Sequence, residues 1–279
     1  MSEDTRKPTE SSLPETSRSA DELADHVSDA IMTTPDELSG PAATTDQPPA
    51  QAAEDVVLEE EKVKDEIEIQ IDLLKDPDWA VRREAVVTLG EMGDERCVEP
   101  LVRSLRDGDW QVREAAVEAL GMVGPPAVDL LIKQLRSWDI RKAVIWTLGK
   151  IKDERVLEPL LDQLRSDEFK EDATEALVDL GQPAVEKLLT ALEDKDENVR
   201  KQAVIALGRI KDPGAVDALI GKLQDKDWYI RLTAAAALDT IGDERGREAI
   251  KPLLQDPDLV VKMRVERILA GWKKRAATA

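Results

Sequence analysis

One phrase recurs along this chain, and its spacing limits the folds open to it. DPDWAVRREAVVTLG starts at residue 76, DGDWQVREAAVEALG at 107, DKDENVRKQAVIALG at 194 and DKDWYIRLTAAAALD at 225. The last leucine of the phrase anchors the copies: Leu89, Leu120, Leu148, Leu177, Leu207, Leu238 and Leu269, separated by 31, 28, 29, 30, 31 and 31 residues. A second ladder, Leu74, Leu105, Leu135, Leu164, Leu192, Leu223 and Leu254, runs between them. Such a period is the mark of a repeat architecture in which each unit touches only its neighbours.

Each unit divides into two helical segments. In helix A of the first repeat, Val81, Ala85, Val86 and Leu89 stand at i, i+4, i+5 and i+8, the buried stripe of an amphipathic helix. The Val81 column continues as Val112, Ile140, Phe169, Val199, Ile230 and Val261, all apolar, as a core column must be. Helix B follows a turn such as GDER, GPPA, KDER, GQPA or KDPG. There Gly ends one helix, and an Asp cap or an early Pro starts the next. The helix B core in the first repeat is Val98, Leu101, Val102 and Leu105. Connections this short make neighbouring helices antiparallel. A pair of about 30 residues cannot bury both apolar faces alone, so the pairs must stack. The expected fold class is all-α, a right-handed α-α superhelix. It has a capping helix over 54–75, a solenoid over 76–272 of six full A–B pairs and a final helix A, and a C-terminal tail over 273–279.

Residues 1–53 differ from the rest. They are rich in Ser, Thr, Pro, Asp and Glu, and hold eleven acids against three bases, so they carry −8 of the net charge of −20. A segment this polar cannot bury enough surface to offset its ordering entropy, and a disordered acidic tail is expected. Within it, Leu23, Val27 and Ile31 fall on one helical face, which predicts a short helix over 20–32 and a candidate docking motif. The acidic balance argues against nucleic acid and anionic membrane surfaces, both of which call for Lys/Arg-rich faces. No apolar run is long enough to span a bilayer and no signal peptide is visible, so a cytoplasmic location is expected. Cys97 is the one cysteine, in a column with Ala127, Val156, Ala184, Ala215 and Gly246, and is expected in the core.

The phrase D-x-D-x-x-V-R-x-x-A-x-x-A-L-G, followed by V-x-P-L-x-x-x-L, resembles the short HEAT-like repeats of the phycobilisome-lyase type over roughly residues 60–272. The resemblance implies an α-solenoid. It leaves function wide, because such repeats occur in bilin lyase subunits, phycobilisome-degradation factors, deoxyhypusine hydroxylase and many scaffolds. Deoxyhypusine hydroxylase needs His-Glu pairs on its helices to hold iron. This chain has one histidine, His26, in the tail, so that activity is rejected and no cofactor or metal is expected.

Three surface columns remain. Glu99, Asp129, Glu158, Glu186, Asp217 and Glu248 form an acidic ladder near the start of helix B. It reads either as helix-dipole complement or as a negative stripe for a basic partner. Arg82, Arg113, Arg141, Lys170, Arg200, Arg231 and Lys262 recur with flanking Asp residues and predict a structural Arg–Asp ladder. On that reading Arg113→Ala strands ladder carboxylates and destabilises the fold. Trp79, Trp110, Trp138 and Trp228 share an edge column whose equivalents elsewhere are Asp167, Glu197 and Leu259. They cover helix ends or form an aromatic row for a partner. Repeats three and four lose the D-x-D and two loop residues, and Trp146 stands where other repeats have Val87, Glu118, Glu175, Ile205 and Ala236. Trp138, Trp146 and Phe169 therefore mark the most distinctive neighbourhood. The function expected is a non-enzymatic scaffold that presents a concave face, built by helix B surfaces, to a basic protein or peptide. The alternative is a lyase-like or chaperone-like accessory subunit acting on a cofactor-bearing protein.

Overall fold

The computed structural model describes residues 64–278, with side chains as far as Lys274. The acidic segment 1–53, its helix over 20–32 and the stripe Leu23, Val27 and Ile31 lie outside the described residues, as do residues 54–63 of the capping helix. The described part of that cap is α1 (Glu66–Leu73). Long and short helices then alternate: α2 (Trp79–Met92), α3 (Val98–Ser104), α4 (Trp110–Val123), α5 (Val128–Gln134), α6 (Arg141–Lys150), α7 (Leu157–Gln163) and α8 (Lys170–Leu180). The series continues with α9 (Val185–Ala191), α10 (Glu197–Ile210), α11 (Val216–Lys222), α12 (Trp228–Ile241), α13 (Glu244–Ile250) and α14 (Leu259–Thr278). The fold is all-α, with helices in sequential repeat pairs.

The D-x-D of the phrase builds each long helix's first turn. Its second Asp is the N-cap: Asp78 accepts from the Ala80 N–H at 2.9 Å, Asp109 from Gln111 at 2.8 Å and Asp227 from Tyr229 at 2.8 Å. Its first Asp accepts from the N–H of the second, at 2.8 Å from Asp76 to Asp78 and 2.9 Å from Asp107 to Asp109. Where the phrase is missing, the turn is missing. The N-cap positions Ile140 and Phe169 offer no side-chain cap, and α6 and α8 have 10 and 11 residues where α2, α4, α10 and α12 have 14. Residues 273–278, expected in a C-terminal tail over 273–279, are instead helical, because α14 runs on to Thr278. WKKRAAT holds good helix formers and no breaker.

The core is a continuous seam. Leu89, Leu120, Leu148, Leu177, Leu207 and Leu238 are fully buried, as is Cys97. Val81, expected in the core, is only half-buried, because no long helix precedes α2 among the described residues. Leu269 is half-buried for the same reason at the other end.

Successive long helices pack on one another, and glycine sets how closely. A Cβ on Gly90 would lie 2.6 Å from the Ala119 Cα, and one on Gly149 would lie 2.7 Å from the Ala176 Cα. The equivalent Gly121 meets nothing nearer than the Lys150 Cβ at 3.4 Å. The α4–α6 junction is correspondingly the sparsest between successive long helices.

A candidate docking groove on the long-helix face

At that loose junction a groove of about 730 Å³ opens across α4, α6 and α8. Its walls follow helical spacing. Helix α4 contributes Trp110, Glu114 and Glu118, and α6 contributes Lys142, Trp146 and Lys150, each set at i, i+4 and i+8. Helix α8 adds Asp172, Glu175 and Asp179. The groove thus lies on the long helices, not on the helix B surfaces expected to build a concave face.

Most of the groove's charges are held in place. Lys142 pairs with Asp172 at 3.2 Å, and its ammonium sits 4.9 Å from the Trp146 ring centre. The Trp146 Nε1–H donates to the same Asp172 at 3.0 Å. The indole is therefore fixed from two sides while 45% of the residue stays exposed. Lys150 bridges to Glu118 at 2.9 Å across the α4–α6 gap, and Glu175 pairs with Arg209. Arg209 holds the Glu175 carboxyl below its ordinary range. Asp139, also in the lining, is taken by Arg106 at 2.7 Å. Counting all lining residues, six carboxylates face three bases.

Of the five tryptophans singled out by sequence, only two reach the groove. Trp110 and Trp146 line the groove. Trp138 is 66% exposed in the turn ahead of α6, with its Nε1–H donating to Glu168 at 3.1 Å. Trp79 and Trp228 sit at the first position of α2 and α12, and Trp228 meets Tyr229 edge-on at 5.7 Å. Phe169 is buried beneath the Arg141 guanidinium, 5.0 Å from its ring centre.

The acidic ladder lies on the short helices, away from the groove. Its six members are exposed, but five are ion-paired. Asp129 is held by Arg155 at 3.0 Å and Asp217 by Arg245 at 2.9 Å, both across a repeat boundary. Glu99, Glu158 and Glu248 pair with Arg103, Lys187 and Lys251, and Glu186 has no ion pair. Three of these pairs, at Asp129, Glu158 and Asp217, join neighbouring repeats, and all six carboxylates stay at the surface.

The Arg–Asp ladder closes at some rungs only. Arg82 grips Asp107 through Nε and Nη2, both at 2.8 Å, and its Nη1 donates to the Asp76 carbonyl at 2.8 Å. Arg231 repeats this on Asp256 at 2.7 and 2.8 Å. These clamps hold the Asp107 and Asp256 carboxyls below the usual carboxylate range. Arg113 has only the carbonyl half, donating through Nη1 to Asp107 and Gly108 at 2.8 and 3.1 Å. The expectation that Arg113→Ala strands ladder carboxylates is therefore corrected: where Asp107 stands for Arg82, the next repeat has Ser137.

Sequence reasoning missed Glu114, Lys142, Lys150 and Asp172. For the first three the signal was present in the i, i+4, i+8 sets on α4 and α6, whose other side was read as core, and for Asp172 in the i, i+3, i+7 set with Glu175 and Asp179. Among the described residues there is no histidine, and no group of His, Cys, Asp and Glu is placed to hold a metal ion. Nor is any single helix there long and apolar enough to cross a membrane.

Known proteins add the following. The sequence pattern of HEAT repeats matches residues 67–139, 125–180 and 185–270. Among solved structures, an engineered protein is 25% identical over 76% of this chain and 98% of its own, with a TM-score of 0.32. Human deoxyhypusine hydroxylase in complex with glycerol is 23% identical, over 75% of this chain and 84% of its own, with a TM-score of 0.37. The CpcE–CpcF complex of phycocyanin lyase from a Nostoc species is 23% identical, over 80% and 99%, with a TM-score of 0.36. No curated protein matches the chain in sequence. With the repeat pattern matched over most of its length and the helices paired as that pattern requires, the chain belongs to the HEAT-repeat family.

Proposed function

We propose that this chain is a non-enzymatic interaction scaffold that docks a protein or peptide segment in the groove across α4, α6 and α8. The observation that carries this reading is the pair of exposed indoles in one recess, Trp110 at 61% and Trp146 at 45% exposure. Trp is the residue type most often found at binding hot spots, and a side chain already fixed by Lys142 and Asp172 loses little freedom on binding. Glu114 and Asp179 have no ion pair and offer negative charge to basic residues of the partner.

The test is selection of groove binders from a randomised peptide display library, followed by affinity measurement on variants. Trp110→Ala and Trp146→Ala are each expected to weaken the selected peptides by about 2 kcal/mol, roughly thirtyfold. Trp79→Ala and Trp228→Ala, outside the groove, are expected to leave affinity unchanged. Peptides that bind equally well to all four variants would place the docking surface elsewhere.

A further inference from the structure

We propose that the Nε–Nη2 edge of Arg113 receives a carboxylate carried by the docked partner, an Asp or Glu side chain within a peptide segment. This rests on the groove reading above and supplies the chemistry of one contact within it.

The repeat itself supplies the template. At the two closed rungs an Arg at the same position of the long helix uses Nη1 for backbone carbonyls and the Nε–Nη2 fork for a carboxylate of the next repeat. Arg113 makes the same carbonyl contacts at 2.8 and 3.1 Å, so its guanidinium is already oriented. Its fork has no acceptor. Ser137 stands at the rung position, and its hydroxyl is turned to the Gln134 side chain at 3.1 Å. Of the carboxylates nearby, Asp107 is taken by Arg82 and Asp139 by Arg106, and the unpaired Glu114 beside Arg113 makes no hydrogen bond to the fork.

The other rungs show why Arg113 is the receptor. Arg141 also faces a repeat without the Asp, but its guanidinium lies over Phe169 and its Nε is buried without a partner. Among the described residues no other buried side-chain nitrogen or oxygen lacks a partner, so the Arg113 fork remains open to solvent. Arg200 keeps only its carbonyl contacts as well, but Asp225 is present at its rung. Arg113, moreover, lines the groove together with Trp110. A guanidinium fork matches a carboxylate in two parallel hydrogen bonds, which a single ammonium cannot reproduce.

The experiment uses the full chain and the peptides selected from the randomised library. The groove binders are expected to carry an Asp or Glu at one recurring position. Replacing that acid with its amide is expected to weaken binding by about tenfold or more. Arg113→Lys keeps the charge and removes the fork, and is expected to cause the same loss, with no further loss from the amide peptide. Ser137→Asp supplies the missing rung from within. It is expected to block the acid contact to the same extent and to melt no lower than the parent chain. If it melts lower, the added carboxylate does not seat there and the Arg113→Lys result decides. Binders that need Trp110 and Trp146 but are indifferent to Arg113→Lys, or that carry no acidic residue, overturn this proposal and leave the scaffold reading standing. A phosphoserine in place of the acid that binds tighter and survives Arg113→Lys also overturns it. Failure to select any groove binder overturns both.

Discussion

The Arg231–Asp256 pair, 12% and 2% exposed at the side chains, is the most enclosed ion pair in the described chain. Removing one partner of such a pair leaves the other charge without compensation, so Asp256→Asn is expected to destabilise the fold by about 3 kcal/mol. The pH dependence has a definite sign. Arg231 lowers the folded pKa of Asp256, so the stabilisation is complete above the unfolded value of about 4 and is lost as pH falls through the lower folded value. Urea melts of the two proteins should differ most at neutral pH and converge in acid. A constant difference across that range would mean the charge is not what Asp256 contributes. At this scale the sequence was partly legible. The caps Asp78, Asp109 and Asp227 follow from D-x-D next to a helix, but which Arg meets which Asp does not. Arg82 reaches forward 25 residues to Asp107, while Arg200 leaves Asp225 alone. A recurrence in sequence gives the offsets of the partners, not the distance between them.

Among elements, the contact between successive long helices is set by a single column of the phrase. At Gly149 a Cβ would lie 2.7 Å from the Ala176 backbone, and at Gly121 the nearest atom is the Lys150 Cβ at 3.4 Å. Gly149→Ala should therefore destabilise by about 1–2 kcal/mol, since overpacking outweighs the better helix propensity of Ala. Gly121→Ala should instead stabilise by up to about 1 kcal/mol, because only the propensity term acts. Thermal melts of the two variants shifting in the same direction would show that the junctions are alike. The glycine column itself was visible in the sequence as the final L-G of the phrase. Its unequal tightness was not, because spacing between helices depends on what the neighbouring turn allows.

At the scale of the whole molecule, a solenoid is a row of nearest-neighbour interfaces, and its stability is close to a sum over them. The interface between α4 and α6 is the sparsest, and α6 and α8 begin without a side-chain cap. Amide hydrogen exchange is expected to be fastest, among the long helices between α4 and α12, in α6 and α8, and slowest in α4 and α10. Uniform protection would mean that the missing caps and the loose junction have no energetic weight. The same irregularity opens the groove, so the weakest interface and the candidate docking surface fall in the same repeats.

The sequence by itself determined the helices, their pairing and the buried columns. These are local or periodic properties: an apolar stripe at 3.6-residue spacing, a cap, a breaker and a connection too short for anything but antiparallel packing. The tertiary structure decided which face carries the recess, which charges are spent on one another and which are left over. Trp110 and Trp146 are 36 residues apart and in different columns, yet line one groove. Arg113 and Arg82 share a column, yet only Arg82 finds a carboxylate. The first outcome depends on the separation of neighbouring repeats, which packing across the turn sets, and the second on Ser137 standing in the next repeat where Arg82 meets Asp107.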